Sequence, residues 1–145
     1  MVIAVDFDGT IVEHDYPKIG AEIPFAIATL KTLQSKHYHR LILWTIRTGK
    51  ELDEAIEFCK QKGLVFYSHN CNYPGEELTD DTSRKVNADL FIDDRNVGGM
   101  MDWGLIYRHI TNPTSSGAVD YYEPEAKKRK KKSFLAHVGE WFTDK

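Results

Sequence analysis

The stretch that decides the fold is MVIAVDFDGT, at residues 1–10. Its first five residues are all apolar and include β-branched valine and isoleucine, which is typical of a strand buried on both faces of a parallel sheet. Asp6 and Asp8 follow at the carboxyl end of that strand, where ligands bind in open parallel sheets. The stretch therefore predicts both a parallel sheet and a polar site at one edge of it.

Outward from this stretch, apolar runs alternate with segments that repeat apolar residues at helical spacing. Helices are predicted from about Ile23 and after Thr48, which forms a capping box with Glu51. Strands that alternate with helices imply right-handed crossovers, so we predict an α/β fold. It would be a three-layer, Rossmann-like arrangement in which helices flank a central parallel sheet. Further apolar runs are predicted to be strands: residues 41–44, 64–67, 89–92 and 104–110.

The chain has 145 residues, about the length of one domain, and we predict a single domain over residues 1–145. The polar motifs at the strand ends lie within residues 1–95. Residues 111–132 are interpreted as a connector and a basic run, and residues 133–145 as a C-terminal helix with one apolar face.

Composition and charge narrow the class of protein. No apolar run approaches the roughly 20 residues that span a bilayer, and Cys59 and Cys71 form no disulfide framework. We therefore expect a cytoplasmic setting and no membrane partner. Residues 127–132 carry six positive charges; without them, 13 basic residues face 22 acidic ones, a net charge of −9. This acidic charge of the remaining chain argues against nucleic acid as the main partner. Only the basic run would be suited to bind a nucleic acid.

Three of the predicted strands end in polar residues that the sheet would bring together. These residues are Asp6 and Asp8, then Thr45, then the pair Asp93-Asp94. Four carboxylates at one edge would repel each other strongly unless a cation lies among them. Mg²⁺ prefers oxygen ligands and shares its sites with substrate phosphates. The sequence therefore predicts a Mg²⁺ site at this edge of the sheet.

These motifs resemble those of the haloacid dehalogenase-like (HAD) phosphatases. The first motif of that family is an apolar strand followed by Asp-x-Asp-Gly-Thr, which residues 1–10 match. The second is a Ser or Thr that ends a strand, matched by Thr45. The third is a Lys, matched by Lys85, and the fourth is an acidic pair, matched by Asp93-Asp94. The matches keep the order of the family and span residues 2–94, about two thirds of the chain.

The resemblance implies a Mg²⁺-dependent phosphomonoesterase that works through an aspartyl-phosphate. Asp6 would be the nucleophile, and Asp8 would protonate the leaving group and then activate the hydrolytic water. Family members without the second aspartate tend to be ATPases or dehalogenases, so Asp8 favours ester hydrolysis. Thr45 and Lys85 would hold the phosphoryl oxygens. The implied metal ligands are Asp6, the backbone carbonyl of Asp8, and the pair Asp93 and Asp94, of which the direct ligand is left open.

Residues around these motifs are candidates for substrate binding. Thr10 would bind phosphate or cap the turn, and Arg47 would reach a substrate anion or pair with a surface carboxylate. His14 follows the first motif, in a loop that the family often uses as a flap over the site. His37 and His39 are expected to be solvated. Other candidate substrate contacts are Tyr16, Lys18, Asn70 and Tyr73.

The intervals between motifs are too short for the cap domain that many relatives carry. From Asp8 to Thr45 and from Thr45 to Lys85 the sequence offers one helix and one strand each, which cannot form a separate core. We therefore expect a capless protein, whose site is open unless a flap or the second subunit of a homo-oligomer covers it. The substrate would be a small-molecule phosphate ester, such as a sugar phosphate or a nucleotide, or a phosphorylated macromolecule.

Other functions compete with this one. A two-component receiver domain uses similar residues in a different order, and a phosphotransferase or mutase usually needs a cap to exclude water. A non-catalytic module that binds Mg²⁺ and phosphate is disfavoured because both Asp6 and Asp8 are present. A phosphatase of nucleic-acid ends would use the basic run at residues 127–132.

Overall fold

The structure, a computed structural model, describes residues 1–112, which form a β-sheet and three helices. The strands are β1 (Val2–Val5), β2 (Arg40–Leu43), β3 (Ser68–His69) and β4 (Leu90–Ile92). The helices are α1 (Ala26–Ser35), α2 (Gly49–Gln61) and α3 (Trp103–Thr111). None of these three helices has both the length and the hydropathy of a membrane span. The predictions for the connector beyond residue 112, the basic run and the C-terminal helix lie outside the described residues.

The four described strands form a sheet in the order β3-β2-β1-β4, and every neighbouring pair is parallel. Val5 in β1 lies opposite Leu43 of β2 and opposite Ile92 of β4. The carboxyl ends of these three strands therefore stand at the same level, and the polar residues that follow them share one edge. The predicted α/β fold with a parallel sheet is confirmed.

One face of the sheet carries the main core. Val5 and Leu43 are fully buried there and belong to one cluster with apolar residues of all three described helices. Those helix residues include Leu30 of α1, Cys59 of α2 and Ile106 of α3. The crossovers β1–α1–β2 and β2–α2–β3 step across the sheet in the same direction, and right-handed crossovers of that kind place their helices on the same face.

Within residues 1–112, the opposite face of the sheet is covered by a segment without a helix rather than by the predicted helices. Its buried residues Ala4 and Ile42 pack with Val86 and with the partly buried Ala88. Both covering residues belong to the segment from 70 to 89, which runs from β3 back across the sheet to β4 and contains no helix. That segment is polar and rich in turn residues, so it lacks the apolar stripe with which a helix packs on a sheet.

The run at residues 104–110, predicted to be a strand, is part of helix α3. Ile106 and Ile110 are both buried and lie at helical spacing. Asp102 caps the helix, because its Oδ1 accepts hydrogen bonds from the N–H groups of Gly104 (2.8 Å) and Leu105 (3.3 Å). A short apolar run is compatible with either structure, and the cap was the signal that the sequence interpretation overlooked.

The third strand and the capping box also differ from the predictions. Strand β3 covers Ser68–His69 rather than residues 64–67, and ladder pairing begins only after the Tyr67 N–H donates to the Leu41 carbonyl oxygen (2.8 Å). Thr48 does precede α2, but its side chain makes no capping hydrogen bond. The start of β3 and the cap of α2 both depend on local backbone geometry, which the spacing of apolar residues does not predict.

Candidate functional site

Three carboxylates meet at the carboxyl edge of the sheet. Asp6 follows β1, while Asp93 and Asp94 follow β4, the strand beside it. The three residues offer oxygens that all lie within 4.8 Å of one another. The Asp6 N–H donates to the Ile92 carbonyl oxygen (2.9 Å), which ties the two strand ends together. The structure thus brings these three predicted residues into one cluster.

The crowding of negative charge changes the ionisation of Asp6. Burial, and to a smaller extent the carboxylates of Asp93 and Asp94, raise the pKa of Asp6 from 3.8 to about 7. Hydrogen bonds from the Phe7 N–H and the Thr10 hydroxyl act in the opposite direction and are outweighed. Lost hydration and like charges both disfavour an ionised carboxylate. A divalent cation among the three groups would favour the ionised form again.

The oxygen atoms in this cluster fit a hard cation. Oδ1 of Asp94 is buried and has no hydrogen-bond partner among the described residues, whereas Oδ2 lies 2.8 Å from Nε2 of His14. A buried polar atom without a partner is rare, and a bound ion is one of its recognised explanations. Oδ1 of Asp93 accepts a hydrogen bond from the Arg95 N–H (2.8 Å). Since Mg²⁺ prefers carboxylate oxygens and water, the donor set fits that ion.

Thr10 joins the two sides of the cluster. Its fully buried side chain donates to Oδ2 of Asp6 (3.3 Å) and accepts from the Asp94 N–H (3.1 Å). Its carbonyl oxygen accepts a hydrogen bond from the indole N–H of Trp103 (3.2 Å). These contacts stabilise the turn, which is one of the two roles expected for Thr10. The link to Trp103 was not predicted, because a helix far along the chain leaves no local signal near Thr10.

Gly9 allows the chain to pass close to the cluster. Its φ of +86° lies in the left-handed region, which glycine adopts without strain. A Cβ at this position would overlap Nε2 of His14 and Oδ2 of Asp94. The glycine of the first motif therefore makes room for the contact between His14 and Asp94.

Thr45 lies at the end of β2, beside the end of β1. The Trp44 N–H still pairs with the Val5 carbonyl oxygen (2.8 Å), and Thr45 comes directly after it. Asn70 holds the loop that follows: its Oδ1 accepts from the Thr45 N–H (2.8 Å), and its Nδ2 donates to the Arg47 carbonyl oxygen (3.2 Å). Asn70, a candidate substrate contact in the sequence, thus uses its side chain to position Thr45. Its φ of +53° is unusual outside glycine and is most often adopted by Asn and Asp.

The side chain of Asp8 is paired with Arg47 in the interior. Arg47 is fully buried, and its Nε and Nη2 each donate to a different oxygen of Asp8 at 2.7 Å. It also donates to the carbonyl oxygens of Pro17 (3.0 Å) and Lys18 (2.6 Å). The hydrogen bonds with Asp8 raise the pKa of Arg47, which keeps the guanidinium charged. Its partner is therefore a buried carboxylate, which neither interpretation of the sequence included.

Lys85 lies on the segment before β4 and makes no contact with the cluster. Its side chain is exposed, and its ammonium lies 5.0 Å from the centre of the Phe91 ring. Within residues 1–112, no hydrogen bond or ion pair joins Lys85 to the three carboxylates. Phe91 packs with Ala4 and Ile42, so Lys85 lies at that face of the sheet, and its role in binding phosphate stays a prediction.

The other candidate contacts differ in their surroundings. In the loop at residues 13–20, His14 reaches Asp94, whereas Tyr16 and Lys18 have exposed side chains. Tyr73 is also exposed. Tyr16 lies over the guanidinium of Arg47, whose carbon is 5.2 Å from the ring centre of Tyr16. Within residues 1–112, no side-chain hydrogen bond or ion pair joins Lys18 or Tyr73 to the three carboxylates.

His37 and His39 are not solvated side chains, contrary to expectation. Both are partly buried, and their rings stack with centres 6.0 Å apart. Nε2 of His37 lies 3.2 Å from the hydroxyl of Tyr107, which packs on the same core as α1. Burial, the N-terminal amino group and His37 lower the pKa of His39. The pair precedes β2 and therefore lies at the edge of the sheet opposite the carboxylates.

Similarity to known proteins is confined to solved structures. No protein-family model and no curated protein matches the chain. The chain is similar to a conserved protein from Bacteroides thetaiotaomicron whose structure has been solved. The two sequences are 64% identical over a match that covers 76% of this chain and 88% of that one, with a TM-score of 0.72.

Proposed function

We propose that this chain, which belongs to the same family as the conserved Bacteroides thetaiotaomicron protein, is a Mg²⁺-dependent phosphohydrolase of the HAD-like type. The observation that carries the proposal is the meeting of Asp6, Asp93 and Asp94 at the carboxyl edge of a parallel sheet. Asp8 and Thr45 belong to the same edge, so residues from three of the four motifs are neighbours.

The order of the strands supports the HAD-like part of the proposal. The strand that carries Asp6 is central, with the strand of Thr45 on one side and the strand of Asp93 and Asp94 on the other. A nucleophile in this place has a phosphate-binding hydroxyl on one side and a metal site on the other. Between Asp8 and Thr45 the chain forms only α1 and β2 as regular elements, and between Thr45 and Lys85 only α2 and β3. These intervals support an enzyme without a cap domain.

The proposed reaction has two steps. In the first, a carboxylate oxygen of Asp6 attacks phosphorus and the ester P–O bond breaks, while Asp8 gives a proton to the departing oxygen. In the second, water attacks the phosphorus of the aspartyl-phosphate and the P–O bond to Asp6 breaks, while Asp8 takes a proton from that water. Phosphate then leaves with the oxygen of the water, and Asp6 is restored.

The charge of the phosphoryl group is balanced by residues around Asp6. Thr45 and Lys85 would hold its oxygens, with Lys85 turning in from its exposed position. Mg²⁺ would be held by Asp6, Asp93, Asp94 and the backbone carbonyl of Asp8, and when bound it offsets the negative charge of the phosphoryl group. Oδ1 of Asp94 has no hydrogen-bond partner among residues 1–112, which favours Asp94 as a direct ligand.

The proposed substrate is a small-molecule phosphate ester or a phosphorylated macromolecule, hydrolysed in the cytoplasm. An edge without a cap suits a large substrate, and a homo-oligomer would cover the site if the substrate is small. Action on nucleic-acid ends would depend on the basic run at residues 127–132, in which case binding would weaken steeply as salt is added.

The test is phosphate release from a broad panel of phosphate esters, with Mg²⁺ and with EDTA. Wild type is compared with Asp6→Asn and with Asp53→Asn, a matched control on the exposed side of α2. We expect release that requires Mg²⁺, is lost in Asp6→Asn by at least about 1,000-fold, and is unchanged in Asp53→Asn.

Failure would also be informative. If Mg²⁺ binds, as measured by calorimetry, but no ester is hydrolysed, the general phosphatase function is refuted and a non-catalytic module is favoured. If Asp6→Asn hydrolyses esters as fast as wild type, another residue is the nucleophile.

A further inference from the structure

Arg47 is a charged group in the protein interior that the proposed chemistry does not use. None of its surface is exposed, although arginine is rarely fully buried. Four of its five N–H donors make hydrogen bonds: two bind Asp8, and the other two bind the carbonyl oxygens of Pro17 and Lys18. So complete a set of partners is typical of a residue that holds other groups in place.

The contacts of Arg47 join two segments beside the site. One is the turn after β1, which carries Asp8, and the other is the loop at residues 16–18. The guanidinium carbon lies 5.1 Å from the ring centre of Phe7 in the first segment and 5.2 Å from that of Tyr16 in the second. A guanidinium that binds both oxygens of a carboxylate sets its rotation as well as its position, which a lysine cannot do.

We propose that Arg47 is a positioning residue that holds the Asp8 carboxylate and the loop at residues 16–18 as one unit. The role of Asp8 as acid and base rests on the proposed function, whereas the link between the turn and the loop does not. The two bonds to Asp8 orient the carboxylate, and the two carbonyl contacts hold the loop against the same guanidinium. Loss of Arg47 would therefore release both segments.

Direct binding of the substrate phosphate is the competing role for Arg47. Among residues 1–112, a single N–H of Arg47, on Nη1, has no hydrogen-bond acceptor, and the side chain is fully buried. A phosphate could bind there only after the loop moved away. The two roles have different kinetic signatures, because phosphate binding affects every ester alike, whereas orientation of Asp8 matters most when the leaving group needs a proton.

Trypsin cleavage after Lys18 tests the loop contact without any enzymatic activity. The Lys18 carbonyl oxygen, which accepts from Nη2 of Arg47 at 2.6 Å, must leave that contact before a protease can attack the carbonyl carbon. The Lys18 side chain is exposed, and Ile19 follows it, so the peptide bond suits trypsin. Cleavage after Lys31 in α1 and after Lys60 in α2 serves as the internal control for global unfolding.

Three variants separate the contributions. Arg47→Met leaves the buried charge of Asp8 unpaired and so endangers folding. The double variant Asp8→Asn/Arg47→Met removes both charges. Asp8→Asn alone keeps Arg47 and therefore its contact with the loop. We expect cleavage after Lys18 to be at least about tenfold faster in the double variant than in Asp8→Asn, with the two control bonds unchanged. Equal rates after Lys18, or a parallel rise at all three bonds, would overturn the link.

The kinetic arm compares p-nitrophenyl phosphate, whose leaving group needs little protonation, with an alkyl phosphate. In Arg47→Met we expect kcat/KM, which reports on formation of the aspartyl-phosphate, to fall about 10- to 100-fold for the alkyl ester and less than about threefold for the nitrophenyl ester. Arg47→Lys should recover only part of the activity toward the alkyl ester that Arg47→Met loses. A rise in KM with equal losses for both esters would assign Arg47 to phosphate binding and overturn its positioning role. If wild type hydrolyses neither ester, the proposed function fails, while the trypsin result still decides the link.

Discussion

Replacing the central carboxylate of the cluster with an amide is expected to stabilise the protein when no divalent cation is present. Burial and the charges of Asp93 and Asp94 raise the pKa of Asp6 from 3.8 to about 7. Asparagine has nearly the same shape as aspartate but no charge. Asp6→Asn therefore removes the free-energy cost of an ionised group in the cluster, and that cost exists only at pH values where Asp6 is ionised.

The sign of the pH dependence follows from proton linkage. Between pH 3.8 and about 7, the folded state binds the Asp6 proton more tightly than the unfolded state does. The free energy of unfolding of wild type therefore falls as the pH rises, by up to about 1.4 kcal/mol per pH unit in this window. Over the whole window the upper limit is about 4 kcal/mol. Because Asp6 keeps some contact with solvent, we expect a gain for Asp6→Asn that is roughly 1–2 kcal/mol larger at pH 8 than at pH 5.

The assay is urea unfolding in EDTA at pH 5 and pH 8, followed by tryptophan fluorescence. The measured quantity is the difference in unfolding free energy between Asp6→Asn and wild type, in which the titration of groups that do not interact with Asp6 cancels. Any pH-independent cost of lost hydrogen bonds also cancels when the two pH values are compared. Asp53→Asn, whose carboxylate is exposed, should show no such change. A difference that stays constant, or that shrinks as the pH rises, would refute the electrostatic account of the cluster.

Two further predictions concern the same edge of the sheet. Mg²⁺ at 100 times its dissociation constant should stabilise wild type by about 2.7 kcal/mol in urea unfolding, and Asp94→Asn should lose most of that gain; equal gains would contradict a ligand role for Asp94. Gly9→Ala should destabilise by roughly 2–4 kcal/mol in the same assay, because a left-handed backbone and the overlap with His14 and Asp94 act together. Gly75→Ala, with a φ of +80° and open space for a Cβ, should cost only about 1 kcal/mol, and equal costs would exclude overlap as the reason.

Much of the sheet could be predicted because its central strands leave a local pattern. Strand β1 is buried on both faces, so all four residues from Val2 to Val5 are apolar, and the same is true of three of the four residues of β2. The pattern failed where a run was short. Around Ile106, apolar spacing was compatible with strand or helix, and only the cap at Asp102 distinguishes them.

The sequence predicted which carboxylates belong to the candidate site, but it did not predict most of the side-chain contacts there. Asp6, Asp93 and Asp94 do meet, as expected from their places after predicted strands. The partners of Arg47 and Asn70 were not predicted, because a guanidinium or an amide on a loop has many acceptors within reach. The choice among them depends on which groups the fold buries together.

By itself, the sequence determined that Asp6 ends a buried strand, since an apolar run followed by acidic residues and glycine carries its own signal. Only the tertiary structure decided how deeply Asp6 is buried and which strands lie beside its own, and hence that burial and, to a smaller extent, Asp93 and Asp94 raise its pKa. It also decided that Arg47 faces inward to Asp8 rather than outward. The physical reason is that the energy of a charge depends on its burial and on neighbours distant in the chain, and neither is determined by local spacing.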